Sequence, residues 1–270
     1  LNAKKLDMNA GLGNDNLGVL MADFSLGSNG GASSTGIQVR IIGAIIDREF
    51  GDGVHDFMYL PVTSTTGEVW LNNNLGADYA NINHPSFNPA QQAQARNDHN
   101  AYGSLFQWGR YSDGHELMNW TSSTAGAAVN GTTSTLSNSD TPGHNDFIIT
   151  PDTDPEDWRT PQNDLLWHGV SGINNPCPSG YRVPTQFEWE AERNTFSPST
   201  RDGAYDSNLK FPVSGSRTLI GSYTGVGVET YYWSGSDDDQ TTRSLYFDRF
   251  SSAVISSSRS FGYPVRCIKN

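Results

Sequence analysis

Basic residues are scarce in this chain, and charge of either sign is sparse. Of its 270 residues 17% are charged, and 17 Lys and Arg stand against 29 Asp and Glu, giving a formal net charge of -12. A phosphate backbone is held by clustered cations that displace counterions, so this balance argues against nucleic acid and against an anionic membrane surface as partners. Long apolar runs are also missing. Ile41-Ile42-Gly43-Ala44-Ile45-Ile46 has the length of a strand, far short of the roughly 18 apolar residues of a membrane span. The text opens at Leu1 with no initiator Met and no signal-type stretch, so a processed or truncated chain is expected, with any export signal outside it.

Cysteine is nearly absent. Cys177 and Cys267 are the two present, and their separation fits no zinc or redox motif. Two readings stay open: one disulfide closing a loop of about 90 residues, worth on the order of 4 kcal/mol, or two buried thiols. The motifs of several enzyme classes are lacking too. No Gly-x-Ser-x-Gly elbow or phosphate-cradling glycine loop stands between a strand and a helix. The six histidines, His55, His84, His99, His115, His144 and His168, never pair at helical ligand spacing, so they read as loop residues and not as a zinc site. No enzymatic activity is expected.

What the chain does have is aromatic bulk and turn formers. With 35% hydrophobic residues, the 7 Trp, 11 Tyr and 12 Phe must supply much of the core, because each ring buries a large apolar area. The 28 Gly, 13 Pro and long Ser/Thr/Asn stretches predict short elements joined by loops. The length suits one elaborated domain. Residues 1–36 read as an irregular leader or the stub of a preceding module, and residues 37–270 as the folded domain.

Alternation predicts short strands at Ile37–Ile41, Phe57–Leu60, Gly67–Leu71, Leu209–Val213, Tyr231–Ser234, Ser244–Phe247, Ala253–Ile255 and Tyr263–Ile268, the later ones spaced like an antiparallel sheet. Two helices are predicted. One runs over about 89–96 with Asn88 as N-cap and Pro89 at its first position. The other follows Pro184, where Thr185 and Glu188 have capping-box spacing, and Phe187 and Ala191 share one face. Residues 121–145 read as a long exposed loop. The fold class is α+β, with short antiparallel strands, two helices and long loops.

Several of these segments resemble one family. Cys177-Pro178-Ser179-Gly180-Tyr181-Arg182-Val183-Pro184-Thr185 followed by Glu188-Trp189, then Tyr232-Trp233-Ser234-Gly235-Ser236, Arg243-Ser244-Leu245-Tyr246-Phe247, and Gly262-Tyr263-Pro264-Val265-Arg266-Cys267 look like the Fibrobacter succinogenes major paralogous domain. With Val69-Trp70-Leu71, Asn74-Leu75 and Tyr102-Gly103-Ser104-Leu105-Phe106, the likeness spans about residues 67–269. That family is similar to the formylglycine-generating sulfatase-modifying proteins and to the variable proteins of diversity-generating retroelements. Both imply a C-type-lectin-like fold. The retroelement likeness implies that Arg243 to Arg266 form a segment diversified for ligand binding, with Leu245, Phe247, Gly262, Val265, Arg266 and Cys267 as framework. The sulfatase-modifying likeness would need a reactive, accessible thiolate, and Cys267 in an alternating segment reads as structural.

Aromatic and Arg side chains are what interface hot spots use, and small polar ones give adaptable contacts. On that ground Tyr246, Asp248, Arg249, Phe250, Ile255, Ser257, Arg259, Phe261 and Tyr263 are expected to form the binding face for a protein or glycan ligand, with Phe250, Phe261 and Tyr263 exposed. Two acidic clusters, Asp152/Asp154/Glu156/Asp157 and Asp237-Asp238-Asp239, read as solvated loops, with a calcium site as the alternative. The expected setting is extracellular, cell-surface or on a phage particle. A fixed adhesive or structural surface protein is the second reading and a sulfatase-modifying type of enzyme the third.

Overall fold

The computed structural model describes residues 20–24, 37–41, 44–47, 56–152, 156–238 and 241–270, and of 20–24, 37–41, 46, 237, 238 and 241 the backbone alone. The described architecture is mixed, mostly short strands in small, largely antiparallel sheets with two helices. Two strand pairs come first: β1 (Leu20–Phe24) with β2 (Ile37–Ile41), and β3 (Ile45–Asp47) with β4 (Phe57–Tyr59). β1 lies within the stretch expected to be an irregular leader, the rest of which is outside the described residues.

The strands β5 (Pro61–Thr63) and β6 (Val69–Leu71) later join the chain's end. After β7 (Phe106–Gln107) comes a hairpin of β8 (Met118–Ser122) and β9 (Ala125–Ala128), then β10 (Thr132–Thr133), paired in parallel with β11 (Phe147–Ile148). The long loop expected at 121–145 is thus partly a hairpin. Its Gly and Ala residues are what allow it: the Trp120 ring lies so close to Gly126 that an added Cβ would sit 2.3 Å from Trp120 Cε3, a contact only glycine permits.

The second half supplies β12 (Tyr181–Arg182), α1 (Gln186–Arg193), α2 (Arg201–Asp206), β13 (Ser216–Arg217), β14 (Tyr223–Thr224), β15 (Thr230–Asp238), β16 (Thr241–Phe247), β17 (Ser252–Ser257), β18 (Gly262–Tyr263) and β19 (Ile268–Lys269). One four-stranded sheet runs β12-β19-β6-β5 and another β14-β13-β18-β7, while β15-β16-β17 form a three-stranded sheet of consecutive hairpins. The predicted strand at Tyr263–Ile268 is therefore split between two sheets. The predicted strand at Leu209–Val213 finds no ladder, although Leu209, Phe211 and Val213 are fully buried.

α1 carries the predicted capping box: Thr185 Oγ1 accepts from the Glu188 N–H at 3.3 Å, and Glu188 Oε2 accepts from the Thr185 N–H at 2.7 Å. Its buried face is not the predicted one. Trp189 and Glu192 point inward while Phe187 and Ala191 face solvent, because the Trp189 indole donates to Trp233 O at 3.0 Å and packs on Trp70 at 4.9 Å, which sets the helix rotation. The second helix is α2 and not residues 89–96. There the carbonyls a helix would use are claimed from outside: Asn72 Nδ2 donates to Pro89 O (2.8 Å), Asn73 Nδ2 to Gln91 O (2.7 Å) and the Val213 N–H to Arg96 O (2.7 Å). Tertiary partners thereby override the local helix signal.

Side-chain alternation separates two cores. Trp233, Leu71 and Cys267 enter one with Tyr59, Phe106, Trp108, Trp167 and Tyr263, while their chain neighbours Tyr232, Trp70 and Ile268 enter the other with Trp189, Phe211, Leu245 and Phe247, as period-two strands require. Buried indoles also bind backbone: Trp108 donates to Ser234 O, Trp158 to Trp108 O and Trp233 to Phe106 O. Of the two cysteine readings the disulfide holds, with Cys177 and Cys267 joined across 90 residues. A loop of that length predicts that the double variant Cys177→Ser/Cys267→Ser loses about 4 kcal/mol, read as a lower urea midpoint; an unchanged midpoint would show the link to be dispensable.

Candidate binding face

In the β15-β16-β17 sheet, the register sets Tyr231 opposite Tyr246, Trp233 opposite Ser244, Ser244 opposite Ile255 and Tyr246 opposite Ala253. Residues directly opposite share a face, so these six stand on one side. The other side carries Tyr232, Leu245, Phe247 and Val254 into the second core beneath α1. The first side is partly covered by the chain returning through 257–263, which packs Tyr263 on Trp233 (ring centroids 4.3 Å) and on Tyr231 (4.7 Å, 15° between planes). Tyr246 extends the stack at 4.9 Å from Tyr231, and Phe261 ends it at 5.6 Å from Tyr263. Tyr231, Tyr246, Ala253, Ile255 and Phe261 remain half-buried, leaving an aromatic surface with one accessible edge.

The Tyr246 hydroxyl donates to Glu229 Oε2 at 3.2 Å. Partial burial and then the Glu229 and Asp248 carboxylates raise the Tyr246 hydroxyl above its ordinary range, so it stays a neutral donor. Asp248 shapes the turn leaving β16: its Oδ1 accepts from the Phe250 and Ser251 N–H groups, both at 2.8 Å. Its slight burial works against ionisation, but those donors outweigh it and lower the carboxyl. At the tip Phe250 is 71% exposed and the Arg249 guanidinium lies over its ring at 4.2 Å.

Of the nine residues expected on this face, Tyr246, Ile255 and Phe261 are on it and Asp248, Arg249 and Phe250 form the adjoining turn. Three are corrected. Ser257 is buried, its Oγ 2.7 Å from Ser244 Oγ. Tyr263 is the 3%-exposed middle of the aromatic stack, not an exposed anchor. Arg259 is 1% exposed: Nη1 meets Asp157 Oδ2 at 3.4 Å, Nη2 bonds Asp164, and the guanidinium lies 4.5 Å from the Trp108 ring centre. Burial raises the Asp157 carboxyl to about 6 against the pull of Arg259. Tyr231 was missed, although its place in a Tyr-Tyr-Trp alternation followed by a hairpin would put it beside Tyr246.

Breaking a buried ion pair strands its partner, so Arg259→Ala is expected to destabilise the protein by about 3–5 kcal/mol, whereas Phe250→Ala changes stability by less than about 0.5 kcal/mol. Thermal melting of the two variants checks this; a mild Arg259→Ala effect would return Arg259 to the accessible set.

For metal binding, Asp113, His115 and Glu116 bring their oxygens and ring nitrogen within 4.8 Å of one another. The proton count decides against the trio as ligands. His115 Nε2 accepts from the Gln107 N–H at 3.0 Å, so the ring proton sits on Nδ1, which faces Asp113 Oδ1 at 2.7 Å and Glu116 Oε2 at 3.1 Å. A nitrogen donating a proton has no lone pair for a cation. The cluster is a brace, completed by Arg110 Nε on Asp113 Oδ2 at 2.7 Å. Burial raises the Asp113 carboxyl, but His115 and Arg110 outweigh it and bring it to about 2.

A carboxyl held below its unfolded value stabilises above that value and loses its contribution as pH falls toward the folded one. Asp113 should therefore contribute about 2 kcal/mol above about pH 4, lost toward about pH 2. The stability gap between the parent and Asp113→Asn should close over that window; a pH-independent gap would refute the assignment. Of the acidic clusters read as solvated loops, with calcium as the alternative, Asp157 is buried and taken by Arg259, Asp152 is exposed, and the Glu156 carbonyl accepts from Ser258 Oγ. Asp154 and Asp239 and the side chains of Asp237 and Asp238 lie outside the described residues.

Cys267 is fully buried and both cysteines are bonded to each other, so neither supplies a thiolate. Among the described residues no helix is long and apolar enough to cross a membrane. Compared with known proteins, the chain matches no family model, no curated protein and no solved structure.

Proposed function

We propose that this chain is a ligand-binding protein of C-type-lectin-like fold, in the manner of the Fibrobacter succinogenes major paralogous domain and the retroelement variable proteins it resembles, acting outside the cell or at its surface. The observation that carries this reading is the half-exposed stack Tyr246–Tyr231–Tyr263–Phe261, rooted in the first core at Trp233 and open to solvent at one edge. Aromatic rings fixed in this way offer large contact area at little entropic cost. Tyr246, Tyr231, Ile255 and Phe261 act as apolar anchors for a protein or glycan, and Asp248, Arg249 and Phe250 form the adjoining rim. Ser257, Arg259 and Tyr263 support that face from beneath.

Burial divides the segment into positions that tolerate change and positions that do not. If a retroelement diversifies it, sequences of the gene's 3' end from many cells should vary at Tyr246, Asp248, Arg249, Phe250, Ile255 and Phe261, while Leu245, Phe247, Ser257, Arg259, Tyr263 and Cys267 stay fixed. An invariant segment would favour a fixed adhesin instead. The binding reading itself is tested by probing arrays of glycans and surface proteins with the intact chain and with Tyr246→Ala. Capture should fall about tenfold or more, with melting nearly unchanged. Capture indifferent to both Tyr246→Ala and Ile255→Asp would overturn the assignment of this face.

A further inference from the structure

The two edges of the β15-β16-β17 sheet are finished differently. Trp233 turns its backbone away from β16, for its N–H donates to Pro264 O at 3.2 Å and its carbonyl accepts from the Trp189 indole at 3.0 Å. Antiparallel strands alternate bonded and non-bonded pairs, so Ser244, opposite Trp233, turns its own N–H and C=O toward β17 and forms a bonded pair with Ile255. Ala253 then also faces β16, while Ser252, Val254 and Ser256 face outward. The Ser252 carbonyl agrees with this alternation, since it accepts from Arg193 Nη1 at 3.3 Å.

On the β15 edge Trp233 is engaged in this way, and the Gly235 N–H donates to Pro184 O at 2.8 Å. The β17 edge is open. Among the described residues nothing bonds the outward N–H and C=O groups of Val254 and Ser256. Sheet proteins guard such edges with charged side chains, proline or bulges; Ser252-Ala253-Val254-Ile255-Ser256-Ser257 carries no charge and no proline, and its register against β16 is unbroken. Donor and acceptor groups repeating at every second residue match the backbone of another extended chain, whereas saccharide hydroxyls have no such fixed repeat. Two copies of this chain, each of formal net charge -12, repel one another, so the occupant is a segment of a different protein. Laid along β17, it sets alternate side chains beside the half-buried Ala253 and Ile255, where apolar residues fit.

We propose that β17 is a strand-addition site for an extended protein segment with apolar side chains at alternate positions, paired through the outward backbone groups of Val254 and Ser256. The site goes beyond the aromatic face and uses backbone groups alone, so the two assignments fail independently. The probe is the peptide acetyl-Lys-Thr-Val-Thr-Val-Thr-Glu-amide, titrated at millimolar concentration into the intact, isotope-labelled chain. The Val254 and Ser256 amide protons should move downfield and exchange more slowly, while those of Ala253 and Ile255, already bonded to β16, should not. N-methylation of the peptide's three central residues keeps its side chains and should weaken binding about tenfold or more. Ser256→Pro, a substitution an edge strand tolerates, should do the same, with melting as the check on folding, and Tyr246→Ala should leave the pairing unchanged. The proposal falls if the peptide does not bind, if its N-methylated form binds equally well, or if Ala253 and Ile255 respond in place of Val254 and Ser256. Shifts at Val254 and Ser256 that follow the concentration of the chain alone would overturn it in favour of a second copy as the occupant.

Discussion

The Arg266 guanidinium joins the chain's last strand region to segments 192 to 195 residues away. Nε donates to Asn74 Oδ1 at 2.9 Å, Nη1 to the carbonyls of Leu71, Asn72 and Leu209 at 3.2, 3.0 and 3.0 Å, and the plane lies 5.0 Å from the Phe211 ring centre. Burial lowers its pKa to about 10, so the group is still charged at neutral pH. A charge taken from water this completely persists only where dipoles replace its hydration, and here three carbonyls and a side-chain amide do so. Asn74 in turn donates to Tyr102 O and to the Tyr232 hydroxyl. The hub therefore fixes the end of β6, the buried 209–213 segment and the approach to β19 at once, and the neighbouring Cys267 ties the same region to Cys177.

The same device recurs. Arg110 donates to the carbonyls of His144 and Asp146, and Arg217 to those of Gly221 and His115; both are buried, as are Arg259 and Arg266. A protein in which many strands are only two or three residues long leaves many backbone carbonyls without a ladder partner, and each must find a donor. Arginine, with five N–H groups in a planar fork, satisfies several at once. This is why Arg110, Arg217, Arg259 and Arg266 stand in the interior. Indole N–H groups do the same for single carbonyls of Gly103, Phe106, Trp108, Trp233 and Ser234.

That economy also explains what the sequence disclosed and what it did not. Local signals survived where their partners are local: the Thr185–Glu188 capping box and the alternation through β15, β16 and β17 are present as expected, and the class is α+β. Signals failed where distant groups intervened. Pro89 and its neighbours have a helix-start signature, but the side chains of Asn72 and Asn73 take their carbonyls. Arg259 and Tyr263 have interface composition, but only the fold brings Asp157 and Asp164 to one and Tyr231 and Trp233 to the other. Nothing in the spacing of Asp157 and Arg259, 102 residues apart, could have disclosed the pair.

The β15–β16 hairpin carries the proposed binding face, and its construction separates binding from folding. Its ladder bonds are backbone bonds, and its inward side chains, Tyr232, Leu245 and Phe247, are held in the core beneath α1. Side chains on the outward edge therefore add little to the stability of the strands that carry them. Tyr246 can be exchanged without disturbing the ladder hydrogen bonds that set its position, because those bonds belong to the backbone whatever the side chain. Binding chemistry placed on such positions is uncoupled from folding, and this physical separation is what a scaffold needs if its ligand is to change while its fold does not.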